Sequence, residues 1–540
     1  MSEPAAPPQP QKAPFFAKPP LEALGYMLAA VFIALSQSVG QGFLMANLRP
    51  LSGELGTDLA DTTWLLVAFV TPRAALPLLL IKIRTQYGLR HFCEASIVVY
   101  MAVGVLSLWT TDLHSAFFVE FLSGVSAAPL STLAVLYMLE PLPPERKLQV
   151  GMPLAMTFIM LGIPLSQAIS PYLLIDGSWF NILMLKLGMG MISLYLVFRL
   201  PLVSAPREKV IRSMDMVSFA LVFAAFGGLI ACFTTGYTYW WTASAWMGVV
   251  LACAIGAAVL ALVIELHRKE PMLDIRWLLS PEMLHLTAVL LIFRIILSEQ
   301  SAGAPGLFQA LGYAPEQIAP LFWVISAASV AGGVACCFVL KMPRVPQIHM
   351  AALCCVVAGS WLSAQNAFDV APRQLMLGQG IVAFGSSLFL PPAMASGLVI
   401  ALSRGPKYLL SFIVLFISTQ VLGGTIGAGL FRTFTAARTT AHADLLRDQL
   451  MAGNAMVGAH VSQLAASLGT AIADPSERTA QALAQLASSV NRQATVAAYN
   501  DVFAVTAALA FAVLVLLVLH VARNSLRARI APEAPAAERG

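Results

Sequence analysis

The chain has 540 residues, of which 58% are hydrophobic and only 11% are charged. A single soluble core cannot bury that much apolar surface, so the composition excludes a soluble globular protein and predicts an integral membrane protein. The formal net charge of +5 comes from basic residues that are scattered between apolar runs, which argues against a nucleic-acid-binding surface.

Fourteen apolar runs are long enough to cross a bilayer, since a membrane-spanning helix takes about 20 residues. The first run is longer than the apolar region of a signal peptide and lacks an A-x-A cleavage site, so we predict that it remains as the first span. The runs predict an all-α integral membrane protein. The predicted spans are residues 22–47, 62–83, 90–110, 115–139, 149–174, 178–200, 215–235, 242–266, 283–308, 317–340, 347–365, 374–401, 407–431 and 497–522.

The distribution of positive charge predicts the orientation of these spans. With a cytoplasmic N-terminus, most of the 32 Lys and Arg residues fall in cytoplasmic segments, as the positive-inside tendency requires. An even number of spans puts both termini on the same side. We therefore predict cytoplasmic tails at residues 1–21 and 523–540.

One long segment between the last two spans, residues 434–496, is predicted to be an extracytoplasmic insertion. Apolar residues recur at helical spacing from residue 446 to residue 468, which predicts a first helix. Asp474, Pro475 and Glu477 have the pattern of an N-cap, a first-turn proline and a capping-box acid, so a second helix is predicted to start there. The insertion is therefore predicted to be a helical hairpin.

The sequence lacks the motifs of the common enzyme and pump classes. It contains no G-x-x-x-x-G-K-[ST] phosphate loop and no H-E-x-x-H metal motif, and its seven cysteines lack C-x-x-C spacing. We therefore predict no enzyme activity, no catalytic residues, no metal and no cofactor. A transporter driven by an existing gradient, or by the gradient of its own substrate, remains.

Five segments follow one another in the order and spacing of a known transporter family. They are residues 53–64 at the start of span two, Gly162-Ile-Pro164 in span five, residues 307–313 at the end of span nine, Gln379-Gly380 with Pro391-Pro392 in span twelve, and residues 499–503 at the entry to span fourteen. Together they resemble the fourteen-spanning drug:proton antiporters of the major facilitator superfamily, the EmrB/QacA type, over essentially the whole chain.

This resemblance implies the major facilitator fold, with two six-helix bundles and two inserted helices. It implies an N-terminal bundle at residues 22–200, a linker with inserted spans seven and eight at 201–282, and a C-terminal bundle at 283–522. It also implies a multi-pass protein of the bacterial inner membrane that moves a small organic substrate by alternating access, using the proton gradient. EmrB-type pumps act with a periplasmic adaptor, a membrane fusion protein, and an outer-membrane channel, so the hairpin is a candidate docking element.

The chain also departs from the family pattern. The acidic residue of span one, which the family uses in proton coupling, would fall near Gly40 beside Gln41. In span four, Glu120 stands where the family has an arginine four residues before Gly124, and span two has Arg73 where a neutral residue is commoner. The family's proton-coupling mechanism therefore cannot be transferred residue by residue.

Charged residues inside spans are costly, so we treat each one as a candidate for transport or coupling. An ion pair between Arg73 and Glu120 is one hypothesis, and a role in coupling or substrate binding is the other. Arg294 and Glu299 are five residues apart on one helix and are poorly placed to pair with each other. With Lys186 in span six, three cations stand against two acids, which favours an anionic or weakly acidic substrate.

Glutamines, glycines and prolines complete the predicted site. Prolines bend helices and free backbone carbonyls, which suits a protein whose two bundles rock about a central site. The predicted substrate-cavity residues are Gln37, Gln41, Gln167, Gln300 and Gln379, and the predicted gating or helix-bend positions are Gly162, Pro164, Pro391 and Pro392.

The sequence therefore favours an exporter of an amphipathic organic compound, similar to a multidrug efflux pump. Two alternatives remain open at this point. One is an importer of a metabolite or siderophore with the same fold, and the other is a membrane scaffold that has lost transport, which the missing acid of span one suggests.

Overall fold

The structure is a computed structural model that describes residues 15–174, 178–202, 207–450 and 455–530. Within these ranges the regular secondary structure is helical throughout. Most of the predicted N-terminal tail, part of the linker after span six and the last ten residues of the predicted C-terminal tail lie outside the described residues.

Thirteen helices in the described residues are long and apolar enough to cross a membrane, and a bent pair of helices forms a fourteenth span. The fourteen predicted spans are confirmed. Numbered in chain order, they are span 1 Pro20–Ala46, span 2 Leu59–Ala75 with Pro77–Tyr87, span 3 Leu89–Leu106, span 4 Leu113–Leu139, span 5 Met152–Leu173, span 6 Phe180–Arg199, span 7 Ser213–Tyr239, span 8 Ala245–His267, span 9 Pro281–Leu297 with Glu299–Ala302 and Ala304–Ala310, span 10 Pro315–Val339, span 11 Val345–Ser363, span 12 Pro372–Arg404, span 13 Pro406–Gln449 and span 14 Pro475–Ile530.

Two spans are interrupted near charged residues. Span 2 bends by 48° at Pro77, whose ring cannot continue the helix against the carbonyl of Arg73. Span 9 is broken at Ser298 and again at Gly303, although the sequence predicts one continuous run there. The break places Glu299 at the start of a separate helical turn.

The helices form two groups that meet along two seams. Span 5 packs against spans 10 and 12, and span 2 packs against span 13. Span 7 contacts spans 2, 8 and 13, so the two inserted helices lie beside the second seam. At the close contact between spans 5 and 10, a side chain at Gly333 would overlap the side chain of Thr157. Glycine there allows the two helices to approach closely.

The two ends of the molecule differ in how the helix groups pack. We call the end with Lys82 and Arg268 the basic end, and the end that carries residues 440–450 and 455–490 the hairpin end. At the basic end one apolar cluster, which includes Met152, Phe293 and Cys336, joins spans of both groups. At the hairpin end the apolar residues divide into separate clusters. Apolar packing therefore joins the groups more extensively at the basic end.

In the described part of residues 434–496, helices are present, but their bounds differ from those predicted. The helix of span 13 continues without a break to Gln449, and a short helix follows at Ala455–Ser467. The prediction of a single helix over residues 446–468 is therefore wrong, because the apolar stripe divides between two helices. Both of these helices pack against the helix of span 14. The predicted start at Asp474 is confirmed, because its carboxylate accepts a hydrogen bond from the Ser476 amide and the helix begins at Pro475.

Candidate functional site

A central cavity lies between the two groups of helices. It consists of two adjoining spaces of about 110 and 120 Å³, which share Met160, Ile163, Arg294, Ser301 and Gln420 in their walls. Spans 1, 2, 5, 7, 9, 10, 12 and 13 contribute to it. A site at this junction is exposed to the opposite sides of the membrane when two helix bundles rock against each other.

Arg73 of span 2 lines this cavity and is held by neutral groups. Its guanidinium donates hydrogen bonds to the side-chain oxygens of Gln41 and Gln37 on span 1, the second at 2.8 Å. The same oxygen of Gln37 accepts a hydrogen bond from Ser131 at 3.0 Å. No carboxylate of the described residues lies within 4.0 Å of the guanidinium. The glutamines therefore hold the guanidinium of Arg73 in place, but no carboxylate in the described part of the chain neutralises its charge.

Arg294 of span 9 lines the cavity as a second cation. Its Nε donates to the backbone carbonyl of Gln420 at 3.0 Å, and its side chain lies against Gly423 and Gly424 of span 13. A Cβ at residue 424 would be only 3.0 Å from Nη2, so the glycine gives the guanidinium room. Among the described residues, Arg294 also has no carboxylate partner within 4.0 Å. Arg73 and Arg294 thus face one space, whose wall also includes Arg432 and, among the described residues, no acid.

The two guanidinium groups of Arg73 and Arg294 favour the binding of an anion in this cavity. A buried charge without a partner is costly, and a bound anion would offset that cost. A guanidinium offers several N–H donors in a fixed plane, which fits carboxylate, sulfonate or phosphate groups. The other walls include apolar side chains, among them Met156, Phe322 and Leu390, which can contact the apolar part of a ligand. The cavity can therefore hold an anion attached to an apolar body.

The hypothesis of an ion pair between Arg73 and Glu120 is wrong in this structure. Arg73 faces the space between the helix groups, whereas Glu120 lines a different cavity inside the N-terminal group together with Lys186. Spans 2 and 4 pack closely through Gly124, against which the backbone of Phe69 lies. The two charged side chains line different cavities, and no salt bridge within 4.0 Å joins them.

Glu299 lies just behind the wall of the central cavity and is fully buried. Its Oε1 accepts a hydrogen bond from the Gln379 side chain at 3.0 Å, while its Oε2 has no hydrogen-bond partner. Gln300, the next residue, lines the cavity and donates to the backbone carbonyl of Gln379 at 3.3 Å. The carboxyl group of Glu299 is thus one residue from the cavity, and no cation of the described residues lies within 4.0 Å of it.

The predicted glutamine, glycine and proline positions fall into two groups. Gln41, Gln167, Gln300, Pro164 and Pro391 line the central cavity. The others lie behind it and support it: Gln37 holds Arg73, Gln379 holds Glu299, Pro392 is buried in span 12, and Gly162 contacts Ser38 where spans 1 and 5 cross.

A buried cluster of charges at the basic end was not predicted from the sequence. Asp215 of span 7 is fully buried and accepts hydrogen bonds from Lys82 of span 2 at 2.8 Å and from Arg268 after span 8 at 2.6 Å. Arg268 also pairs with Glu265 at 2.6 Å. The cluster ties the inserted spans to span 2. The residues are too far apart in sequence for any local pattern to reveal it.

The replacement Asp215→Asn is expected to destabilise the protein strongly. It leaves the ammonium of Lys82 and part of Arg268 without their shared carboxylate, and breaking a buried ion pair costs about 3–5 kcal/mol. Denaturant unfolding of purified protein in detergent measures the effect. Glu270→Gln at the same end is the matched control, since Glu270 is exposed and its pairing with Arg212 is worth little. Equal stability of the two variants would contradict a structural role for the cluster.

The fourteen helical spans, arranged in two groups around a central cavity, have the architecture of a multi-pass membrane protein with the major facilitator fold. No family model matches the sequence. The chain is similar to the probable multidrug resistance protein EmrY of Escherichia coli (strain K12), with 23% identity over 317 residues. The match covers 56% of this chain and 62% of EmrY, which is less than two thirds of the relative.

Solved structures with the same fold include several transporters. The human organic anion transporter MFSD10 (TETRAN) matches with a TM-score of 0.54 at 12% identity, over 91% of this chain and all of that one. A peptide transporter POT in complex with sulfate gives 0.54 at 12% identity, over 92% and 95%. The major facilitator proton:xylose symporter XylE gives 0.50 at 13% identity, over 79% and 90%. These likenesses confirm the expected fold.

Proposed function

We propose that this protein exports an amphipathic organic anion, such as an aromatic carboxylate, across a bacterial inner membrane. The observation that carries the proposal is the pair of arginines, Arg73 and Arg294, which face one partly apolar cavity without an acidic partner within 4.0 Å among the described residues. The similarity to EmrY, a probable multidrug resistance protein, supports export in preference to uptake.

The proposed mechanism is alternating access, with residues 22–200 and 283–522 moving as two bodies about the cavity. The charges in the segments between spans favour a basic end that faces the cytoplasm, with both termini on that side. The apolar cluster that joins the helix groups at the basic end would then separate when the cavity opens inward. The bends in spans 2 and 9 lie beside the two arginines, where such a movement would change their surroundings.

We further propose that Glu299 couples this movement to the proton gradient. A carboxyl group binds or releases a proton when its surroundings change between dry and hydrated. Glu299 is fully buried here, and Gln300 beside it lines the cavity. A movement that opens the cavity wall beside Gln300 would therefore admit water to the carboxyl group of Glu299.

Ligand selectivity tests the proposed function directly. Purified protein is titrated with matched pairs of aromatic compounds that share a ring system and differ only in carrying a carboxylate, a neutral amide or an ammonium group. We expect the carboxylates to bind at least about tenfold more tightly than the amides, because each guanidinium contact to an anion adds roughly 1.5–3 kcal/mol. Preference for the ammonium compounds would refute an anionic substrate, and no binding of any compound would favour a scaffold.

The hairpin is proposed to dock a periplasmic adaptor that leads to an outer-membrane channel. Leu445 and Leu483 are large apolar side chains on the hairpin that are 60% and 52% exposed. Exposed apolar side chains of this kind mark interaction surfaces when they stand together. A partner in an envelope-spanning pump would cover them.

Deleting residues 440–490 is expected to leave the membrane domain folded and able to bind substrate, yet to abolish export across the whole envelope. The double variant Leu445→Ser with Leu483→Ser is expected to weaken adaptor recovery without removing a helix. Co-purification with the adaptor is the measurement, and Met456→Ser on the same hairpin is a single-site comparison. Equal recovery of the adaptor by the deleted and intact forms would show that the hairpin is not the docking element.

A further inference from the structure

A second cavity lies inside the N-terminal helix group and is separate from the central cavity. Its volume is about 250 Å³, larger than either part of the central one. The mouth is at the hairpin end, where Glu54, Thr110 and Phe180 contribute to the wall and Glu54 and Phe180 are exposed. The inner end carries Glu120 of span 4 and Lys186 of span 6. A charged pair thus lies at the bottom of an opening that faces the extracytoplasmic side in the proposed orientation.

The two charges share this space without forming a contact ion pair. No salt bridge within 4.0 Å joins Glu120 to Lys186, and the Oε2 atom of Glu120 is buried without a hydrogen-bond partner. The ammonium of Lys186 lies beside span 1, where a Cβ at Gly40 would be 3.9 Å from Nζ. Both side chains therefore line the cavity and retain unused hydrogen-bonding capacity, and an opening of this volume is large enough for water.

Span 1 separates this cavity from the central one. On one face of the span, Gly40 contacts Lys186, and on another, Gln37 and Gln41 hold Arg73. A narrow space of about 20 Å³ also has both Gln37 and Lys186 in its wall. Glu120 and Lys186 are therefore close to Arg73 of the central cavity, but water reaches them through a different opening.

We propose that Glu120 and Lys186 form a proton-accepting site of the N-terminal helix group, reached from the extracytoplasmic side through its own cavity. A proton from hydronium in the cavity adds to the carboxylate of Glu120. When the carboxyl group returns this proton to water, the ammonium of Lys186 stabilises the carboxylate that forms. The site differs from the one proposed at Glu299, which lies in the other helix group. It requires no substrate, so its tests are independent of the anion-binding proposal.

The groups that face Glu120 from the surrounding elements determine its titration. They are Lys186 of span 6 and Tyr100 of span 3, with Glu54 at the mouth. Span 5 carries no charged residue, and the part of span 1 beside Glu120 carries none either. Arg73 of span 2 faces the central cavity. Lys186 is therefore the cation that acts most directly on the carboxyl group.

Carbodiimide labelling tests the proposal, since dicyclohexylcarbodiimide reacts with protonated carboxyl groups in apolar surroundings. The purified transporter is labelled over a range of pH, and each modified residue is located by peptide mass spectrometry. We expect label on Glu120 that falls at least about tenfold from acidic to alkaline buffer. In Lys186→Met, labelling of Glu120 should persist to higher pH, because the ionised form loses the charge that stabilises it. Exposed Glu54 should remain unlabelled.

Thiol labelling tests the route. A membrane-impermeant thiol reagent is added to the side that carries the hairpin, using Ala116→Cys, which lines the wide cavity, and Ala127→Cys, which lines only the narrow space. The Ala116→Cys variant should react with the reagent, and the Ala127→Cys variant should not. The proposal is overturned if Glu120 stays unlabelled at every pH while Glu299 is labelled in the same sample. It is also overturned if the Lys186→Met change leaves the pH dependence unaltered, or if Ala116→Cys reacts only from the opposite side.

Discussion

Replacing both Arg73 and Arg294 with glutamine is expected to weaken the binding of an aromatic carboxylate by at least about 100-fold. Each guanidinium is expected to contribute roughly 1.5–3 kcal/mol through charge-assisted hydrogen bonds, and each 1.4 kcal/mol corresponds to about a tenfold change in the dissociation constant. Each single variant should therefore lose about tenfold or more. Isothermal titration calorimetry on purified protein measures the loss.

Two controls separate loss of the anion site from loss of the fold. Arg432→Gln changes a third cation of the cavity wall, whose guanidinium lies over the ring of Tyr237, so it should have a smaller effect. Removing a buried charge that lacks an acidic partner should change the melting temperature little, because relief from holding that charge in an apolar site offsets the hydrogen bonds lost to neutral groups. An equal loss of affinity for the neutral amide of the same compound would contradict an anion site at the two arginines.

Glu299→Gln is expected to abolish transport driven by a pH gradient while substrate binding stays within about threefold of the unmodified protein. Glutamine is close in size to glutamate, and its carbonyl oxygen can accept the hydrogen bond from Gln379. The fold is therefore retained, but the side chain cannot bind and release a proton. Uptake into proteoliposomes under an imposed pH gradient measures the loss, and exchange of substrate without a gradient should continue.

The matched control is Glu316→Gln, which removes an exposed carboxyl group in the first turn of span 10, outside both cavities, and should leave gradient-driven transport unchanged. The dependence of the transport rate on pH adds a second criterion. Transport should vary with pH in the unmodified protein and lose that variation in Glu299→Gln. Gradient-driven uptake at the normal rate by Glu299→Gln would rule out this residue as a proton carrier.

The pattern of apolar residues alone determined that this protein is an all-helical membrane protein with fourteen spans. This pattern is readable because a spanning segment must satisfy its own backbone hydrogen bonds and must be about as long as the bilayer is thick, and both requirements act within one helix. The residues Asp474 and Pro475 marked the start of the last helix for the same reason, since capping involves neighbours in sequence. The intramembrane charges Arg73, Arg294 and Glu299 were also identifiable, because their cost in an apolar segment does not depend on their partners.

Only the tertiary structure decided which of these side chains meet. Arg73 is held by glutamines of span 1 instead of pairing with Glu120, and Glu120 shares a cavity with Lys186, 66 positions further along the chain. The cluster around Asp215 joins Lys82 to Arg268 in the same way. These contacts depend on the rotation of each helix about its axis and on its crossing with its neighbours. Packing of small residues such as Gly124 and Gly424 sets that geometry, and no pattern within a single span records it.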